Sequence, residues 1–164
     1  MRVLGVDPGT VHMGVGLVDL AGNEVSHLAS ATLSPPPKLA LSDRLAKIFE
    51  ELEKLMVEWM PDTVAIEQPF AGKNVRSALA VGQAQAVAMV VAARRGLLVA
   101  TYSPSQVKQA VTDHGGSSKE QVREMVQIVL QLEDPPETSD AADALAVALC
   151  HVNATRADRL IFME

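Results

Sequence analysis

Residues 2–10 have the sequence Arg2-Val3-Leu4-Gly5-Val6-Asp7-Pro8-Gly9-Thr10, an apolar run that ends in a carboxylate and then breaks at Pro-Gly. Short apolar runs rich in β-branched residues and bounded by turn residues are typical of buried central strands. A charge at the end of such a strand lies at the edge of the core, where an unpaired carboxylate costs several kcal/mol. Asp7 therefore needs a partner, and further carboxylates along the chain make a metal ion the candidate.

A second strand of the same kind covers residues 63–67, Thr-Val-Ala-Ile-Glu, and also ends on an acid, Glu67. Because the ends of neighbouring strands meet at one edge of a sheet, Asp7 and Glu67 are predicted to share one site. Two further acids, Asp140 and Asp143, stand three residues apart at the start of the last predicted helix. That spacing projects both from one helical face, and the packed Ala- and Leu-rich continuation would hold this face near the sheet.

Four converging carboxylates indicate a site for hard divalent cations. They cannot all stay ionised without cations, and oxygen ligands of this kind select Mg²⁺, with Mn²⁺ as a substitute. Two such ions about 4 Å apart serve in-line phosphodiester hydrolysis, in which one activates a water and the other stabilises the leaving oxygen. The sequence has no His or Cys cluster with zinc-ligand spacing and no Ser/His pair for acyl transfer.

Composition predicts one soluble domain. The chain has 164 residues, of which 48% are hydrophobic and 21% charged, enough to bury a full core. We place the domain at residues 1–152, followed by a C-terminal tail, 153–164, that need not be ordered. A single cysteine, Cys150, argues against disulfides, and the sequence has no signal peptide or bilayer-spanning run. We therefore expect a cytoplasmic protein.

The charge is unevenly distributed along the chain. The net charge of −6 by itself argues against a nucleic-acid partner. However, residues 68–131 carry seven basic and three acidic residues, a balance of +4, and the remainder carries −10. Such a split can give one basic face, although it is also typical of ordinary solvated helix surface.

Apolar spacing and turn residues predict the other elements. Two further strands follow the strand that ends at Asp7, and a tight hairpin joins that strand to the next one. The predicted strands are Val11–Val18, Val25–Leu33 and Leu97–Tyr102. The predicted helices are Leu39–Trp59, Ser77–Arg95, a short helix capped by Ser103, one from Ser118 through Leu132, and one from Thr138 or Ser139 to about Val152.

The Ser77–Arg95 helix is apolar or small on nearly all sides. One face can lie on the sheet, and the other must also be covered. The cover is either a second subunit, which we favour because the small residues let another backbone approach closely, or other helices of the same chain.

Five motifs, in order along the chain, resemble the RuvC family of Holliday junction resolvases. They are Leu-Gly-Val-Asp7-Pro-Gly-Thr, Ala-Ile-Glu67-Gln68 followed by Lys73-Asn74, Leu-Ala-Val-Gly-Gln83-Ala, Gln106-Val-Lys108-Gln, and Ser-Asp140-Ala-Ala-Asp143-Ala-Leu-Ala. Together they spread from residue 4 to residue 149. Each motif is weak alone, and the set is highly specific.

This resemblance implies an α/β protein with an RNase H-like fold, a five-stranded mixed sheet flanked by helices with its first three strands antiparallel. It also implies a homodimer and Mg²⁺-dependent, symmetric nicking of four-way DNA junctions, in cooperation with the RuvA–RuvB branch-migration complex. The four acids match the family's catalytic tetrad, and some members carry His where Asp140 stands.

The resemblance also implies residues for DNA binding. Phe70 matches the family's aromatic that stacks into the opened junction, against the alternative that it packs on its own domain. Lys108 and Lys119 match basic positions that contact phosphate or offset transition-state charge, and Lys73 belongs to the second motif. Arg76 is added on its charge and its location beside the Phe70 loop.

Three other functions compete with this interpretation. A smaller RuvC-like family linked to ribosomal RNA processing shares the Asp-Pro-Gly-Thr opening. An actin- or hexokinase-type ATPase shares the Asp-x-Gly-Thr pattern, but it needs a second related domain. A junction-binding module without catalysis would not need the intact set of acids.

Overall fold

A computed structural model describes residues 1–69 and 74–161, with side chains through Ala157. Its centre is a five-stranded mixed sheet in the order β3-β2-β1-β4-β5. The strands are β1 (Arg2–Asp7), β2 (Met13–Ala21), β3 (Glu24–Leu33), β4 (Thr63–Glu67) and β5 (Leu98–Tyr102). The first three strands are antiparallel, whereas β4 runs parallel to both β1 and β5. The predicted five-stranded mixed sheet is confirmed.

Helices cover both faces of the sheet. They are α1 (Leu41–Trp59), α2 (Val75–Arg94), α3 (Pro104–Thr112), α4 (Lys119–Val129) and α5 (Ser139–Ile161). Alternate strand residues point to opposite faces, so β1 contributes Leu4 and Val6 to the core under α1 and α2, and Val3 to the core under the other three helices. The protein is therefore a three-layer α/β sandwich with the sheet in the middle.

Helix α5 lies unusually close to the sheet because glycines face it. A Cβ at Gly5 would collide with the carbonyl oxygen of Ala144, and one at Gly14 would collide with the carbonyl oxygen of Asp140. Glycine lets two backbones approach closely. The first two turns of α5 thus rest directly on β1 and β2.

Helix α5 also extends further than the sequence predicts. Its end was expected near Val152, with residues 153–164 as a tail, but the helix continues to Ile161. No Gly or Pro follows Val152 within the helix to stop it. Asn153 donates from Nδ2 to the carbonyl of Ala110 at 2.8 Å, and Arg156 donates to the carbonyl of Asn23 at 2.5 Å. These bonds attach the start of the presumed tail to the domain.

Other boundaries differ from the predictions by a few residues. Strand β2 begins at Met13 rather than Val11, since residues 8–12 form the connection between the strands. Helix α4 ends at Val129 rather than Leu132. Both Ser103 and Ser118 cap their helices as predicted, each in a capping box with a glutamine.

One face of α2 is left open. Ala84, Ala88 and Val91 are buried against the body of the protein, whereas Leu79 is 64% exposed and Val90 is 51% exposed. Among the helices of the described residues, α2 alone has the length and composition of a membrane span, but those properties also suit a helix with an apolar interface.

Candidate active site

Asp7 and Glu67 lie side by side at the carboxyl ends of adjacent parallel strands. Val6 of β1 is in register with Ile66 of β4, so the next residue on each strand is the acid. The strand interiors before them are fully buried, and each acid is half-buried at the edge of the core. The predicted meeting of these two strand ends is confirmed.

Burial shifts the pKa values of both carboxyls upward. Burial raises the pKa of Asp7 to about 8, with further upward contributions from the negative charges of Glu67 and Asp143. Burial also raises the pKa of Glu67, while the hydrogen bond from Asp7 lowers it. These shifts favour a protonated Asp7 at neutral pH, whose carboxyl donates a hydrogen bond to Glu67. Two acids that cannot both ionise are a common mark of a functional site.

Asp143 belongs to the same cavity, where a lysine pairs with it. The cavity measures about 310 Å³ and is lined by Asp7, Glu67, Asp143, Lys108 and Lys119, among others. Lys119 Nζ lies 2.9 Å from Asp143 Oδ2. That hydrogen bond is the main reason why the pKa of Lys119 is raised. The family resemblance matches Lys119 to a basic position that contacts phosphate or offsets transition-state charge. Its partner in the structure is this internal carboxylate.

Lys108 also lines this cavity, and its positive charge lowers the pKa of Glu67. Arg123, one turn after Lys119, donates instead to the carbonyl of Pro136 at 2.7 Å. Of the basic residues on this side of the sheet, the two lysines therefore face the acids, and the arginine supports the loop before α5.

Asp140 is not brought into the cavity that holds the other three acids. It lines a neighbouring cavity of about 480 Å³, together with Gly9, Thr10, His12 and Arg76. Its backbone carbonyl faces Gly14. Asp140 and Asp143 thus lie on either side of the point where α5 crosses β1 and β2, and each lines a different cavity.

The remaining predicted DNA-binding residues are placed as follows. Arg76 is exposed in the first turn of α2 and lines the Asp140 cavity. Asn74 caps this helix by accepting from the backbone N–H of Ser77 at 3.1 Å. Phe70 and Lys73 lie outside the described residues, so their predicted roles remain predictions.

Side chains that could bind a metal are only partly gathered. Within residues 1–69 and 74–157, no three Asp, Glu, His or Cys side chains are close enough together to hold a metal ion. Asp7 and Glu67 form one pair, and Asp143 is engaged by Lys119. The candidate ligand atoms are nevertheless all carboxylate oxygens. A divalent cation could replace the proton on Asp7 and the Lys119 ammonium group beside Asp143. These residues fit Mg²⁺ or Mn²⁺.

Two threonines near the site were not assigned any role from the sequence. Thr32 of β3 and Thr138, the residue before α5, have hydroxyl oxygens 2.6 Å apart. Thr138 Oγ1 also accepts from the backbone N–H of Ala141 at 3.0 Å. The only sequence signal is that Thr138 is one of two candidate first residues of the last helix, and the contact itself joins residues 106 positions apart.

This strand order, with acids at the ends of β1 and β4 and on the helix that crosses them, defines an RNase H-like nuclease fold. The model of the family described as "Crossover junction endodeoxyribonuclease RuvC" matches residues 3–151. A protein of that name from Dehalococcoides mccartyi is 48% identical over 151 residues, which are 92% of each chain. One from Thermomicrobium roseum is 43% identical over 160 residues, 98% of each chain.

Solved structures agree with the sequence relatives. Thermus thermophilus RuvC in complex with a Holliday junction substrate superimposes with a TM-score of 0.90 at 34% identity, over 96% of each chain. The yeast mitochondrial resolvase Ydc2 shares the fold, with a TM-score of 0.64 at 12% identity over 92% of this chain and 78% of its own. The chain belongs to the RuvC family of crossover junction endodeoxyribonucleases.

Proposed function

We propose that this protein resolves four-way DNA junctions by paired, symmetric nicks in a reaction that depends on Mg²⁺. The observation that carries the proposal is the meeting of Asp7 and Glu67 at the ends of adjacent parallel strands, with Asp143 in the same cavity. Support for the substrate comes from the relatives, which are crossover junction endodeoxyribonucleases, and from the Thermus RuvC complex with a junction. The relatives are named for crossover junctions, which favours this role over ribosomal RNA processing.

We assign the catalytic and metal-binding roles to Asp7, Glu67, Asp140 and Asp143. When bound, two divalent ions supply an activated water nucleophile and stabilise the leaving oxygen and the charged phosphorus centre. Ionisation of Asp7, which holds a proton at neutral pH in the metal-free protein, provides the charge that would hold an ion. Asp143 must release Lys119 to join Asp7 and Glu67.

Basic residues on both sides of the acids suit a phosphodiester substrate. Lys108 and Lys119 line the cavity of the acids, where they offset the charge of the scissile phosphate. Arg76 lines the adjoining cavity, and we assign it a contact with the DNA backbone. Phe70 and Lys73, which follow β4 in the sequence, are assigned to the opened junction, where base stacking on an aromatic is worth about 1–3 kcal/mol.

Paired nicks require two active sites, which a homodimer through the exposed face of α2 would supply. Large apolar side chains are exposed along that face, including Val75, Leu79 and Val90. A symmetric dimer places the same face of each subunit in contact. The dimer is testable by light scattering, since Leu79→Asp should convert it to a monomer while the fold is retained.

Two further parts of the proposal rest on the family alone. We propose that the protein works with the RuvA–RuvB branch-migration complex, which would move the junction to a cleavable sequence. We also propose a bacterial cytoplasmic location, where the chromosomal substrate lies.

The test is a cleavage assay on a synthetic four-way junction labelled in turn on each strand. A linear duplex of the same sequence serves as the substrate control, and EDTA serves as the metal control. The proposal predicts nicks at symmetric positions in two opposing strands, only with Mg²⁺ or Mn²⁺, and little cleavage of the duplex. Equal cutting of the duplex, or cutting in EDTA, would contradict it.

Glu67→Gln provides the matched variant for this assay. It removes one carboxylate and keeps the size and hydrogen-bonding capacity of the side chain. We expect it to bind the junction as the wild type does and to lose cleavage. Near-normal cleavage would remove Glu67 from the catalytic set.

A further inference from the structure

The acids of the site come from two structural units that must be held in register. Asp7 and Glu67 are held within the sheet, where Asp7 pairs with Gly14 of β2 and Glu67 pairs with Tyr102 of β5. Asp140 and Asp143 lie in the first turns of α5, and first turns are where helices fray because their N–H groups lack intrahelical partners. The position of that turn on the sheet therefore sets how the acids meet.

The contact between the first turn of α5 and the sheet has no side-chain interlock at its centre. Gly14 lies under the carbonyl of Asp140 and leaves no room for a Cβ. A helix that rests on glycine approaches closely, but glycine has no side chain that would stop it from sliding. Further along α5, the Leu145 side chain packs over Gly16, so a directional contact at the first turn would complete the fixing of the helix on the sheet.

Thr32 and Thr138 supply a directional contact at this place. In the sheet register Thr32 pairs with Gly14, and Gly14 pairs with Asp7, so these residues form one row across three strands. Residues directly opposite each other in a sheet share a face, which is the face of α5. The Thr32 hydroxyl meets the Thr138 hydroxyl at 2.6 Å, at the end of this row.

Thr138 carries this contact into the helix. Its Oγ1 accepts from the N–H of Ala141 at 3.0 Å, and its carbonyl accepts from the N–H of Ala142 at 3.2 Å. One residue thus closes the first turn of α5 and bonds to the edge strand β3 at the same time. The turn that it closes contains Asp140, and Asp143 follows within the next turn.

We propose that Thr32 and Thr138 are positioning residues, which hold the first turns of α5 on the sheet so that Asp140 and Asp143 can bind metal together with Asp7 and Glu67. The inference rests on the proposed metal-dependent function. It predicts that loss of the Thr32 hydroxyl weakens metal binding about three- to tenfold, which is the effect of one hydrogen bond of ordinary net strength.

The test compares Thr32→Val with Thr32→Ser. Valine keeps the β-branched shape that suits an edge strand and removes the hydroxyl, whereas serine restores the hydroxyl. Thr63→Val is the matched control, because Thr63 donates its hydroxyl to the carbonyl of Leu98 at 3.1 Å at the opposite end of β4 from Glu67. Each variant is measured for melting temperature, for Mn²⁺ binding by electron paramagnetic resonance of free Mn²⁺, and for the Mg²⁺ concentration that gives half-maximal cleavage.

For Thr32→Val, we expect a three- to tenfold rise in two midpoints: the Mn²⁺ concentration for half-maximal binding and the Mg²⁺ concentration for half-maximal cleavage. At high Mg²⁺, its cleavage should approach that of the wild type. Thr32→Ser should restore wild-type midpoints, and Thr63→Val should lower the melting temperature without moving them. A Thr32→Val protein that melts lower but binds Mn²⁺ like the wild type would overturn the inference. In a Thr138→Val background, Thr32→Val should have no further effect, because its partner is already absent.

The outcomes separate this inference from the proposed function. If the wild type binds Mn²⁺ and cleaves, and Thr32→Val has unchanged midpoints, the positioning role is refuted and the proposed function stands. A wild type that neither binds Mn²⁺ nor cleaves removes the proposed function and the positioning role with it.

Discussion

Asp7→Asn should stabilise this protein in the absence of metal, and the gain should grow with pH. The pKa of Asp7 is raised from 3.8 to about 8 in the folded state. Between these values the folded state binds a proton that the unfolded chain has lost, so the free energy of unfolding falls as the pH rises and levels off above pH 8. Asparagine mimics the protonated acid, since its Nδ2 can still donate to Glu67.

The size of the effect follows from the shift. A pH of 7 lies about 3 units above the pKa of Asp7 in the unfolded chain, and each unit is worth 1.36 kcal/mol. The gain in the free energy of unfolding is therefore at most about 4 kcal/mol. Glu67 shares the same proton, so part of this amount belongs to the pair. For a chain of this size, 1 kcal/mol changes the melting temperature by about 2–4 °C. A rise of several degrees is therefore expected at pH 8, with little change at pH 4.

The assay is thermal unfolding in EDTA from pH 4 to pH 9, followed by far-ultraviolet circular dichroism. Asp134→Asn, at an exposed acid in the loop before α5, is the control and should not change the pH profile. Addition of Mg²⁺ at pH 8 should raise the melting temperature of the wild type more than that of Asp7→Asn. An Asp7→Asn protein that is destabilised equally at pH 5 and pH 8 would refute the reasoning.

Three other variants test separate parts of the site. Lys119→Gln removes the cation beside Asp143, so the variant should bind Mn²⁺ at least as tightly as the wild type and lose cleavage about 10²-fold. Its free energy of unfolding should change by at most about 1 kcal/mol, because the lysine side chain is 74% exposed. Weaker Mn²⁺ binding in calorimetry would contradict this prediction. Phe70→Ala should lose far more cleavage than stability, by about 10- to 100-fold in single-turnover assays, and an unfolded variant would favour packing of Phe70 on its own domain. Gly14→Ala places a Cβ against the carbonyl of Asp140 and should cost about 1–3 kcal/mol in chemical denaturation; a wild-type midpoint would mean that α5 does not rest on β2 as described.

The parts of the site that were predictable from sequence are those set by local pattern. An apolar run that ends in an acid defines both a strand and the place where it leaves the core, so Asp7 and Glu67 could be paired from two short segments. Their meeting depends only on adjacent parallel strands, and the register of β1 with β4 provides that.

The remaining features depend on contacts between distant segments. The Lys119–Asp143 pair joins two helices, and the Thr32–Thr138 bond joins a strand to a helix, so no spacing along the chain predicts either one. Asp140 and Asp143 share a helical face, yet they line different cavities because the helix crosses the sheet between them. Helical spacing gives the direction of side chains from the axis, but it does not give the position of the axis over the sheet.

The most direct measurement is the number of protons released when Mg²⁺ or Mn²⁺ binds, obtained by calorimetry in buffers of different ionisation enthalpy. A carboxyl with a pKa of about 8 is mostly protonated at pH 7, and metal ligands bind in their deprotonated form. We therefore expect the release of about one proton per chain at pH 7, little release at pH 9.5, and none from Asp7→Asn. Metal binding without proton release at pH 7, or release that persists in Asp7→Asn, would contradict the claim that the metal replaces a proton held by Asp7 at the ends of β1 and β4.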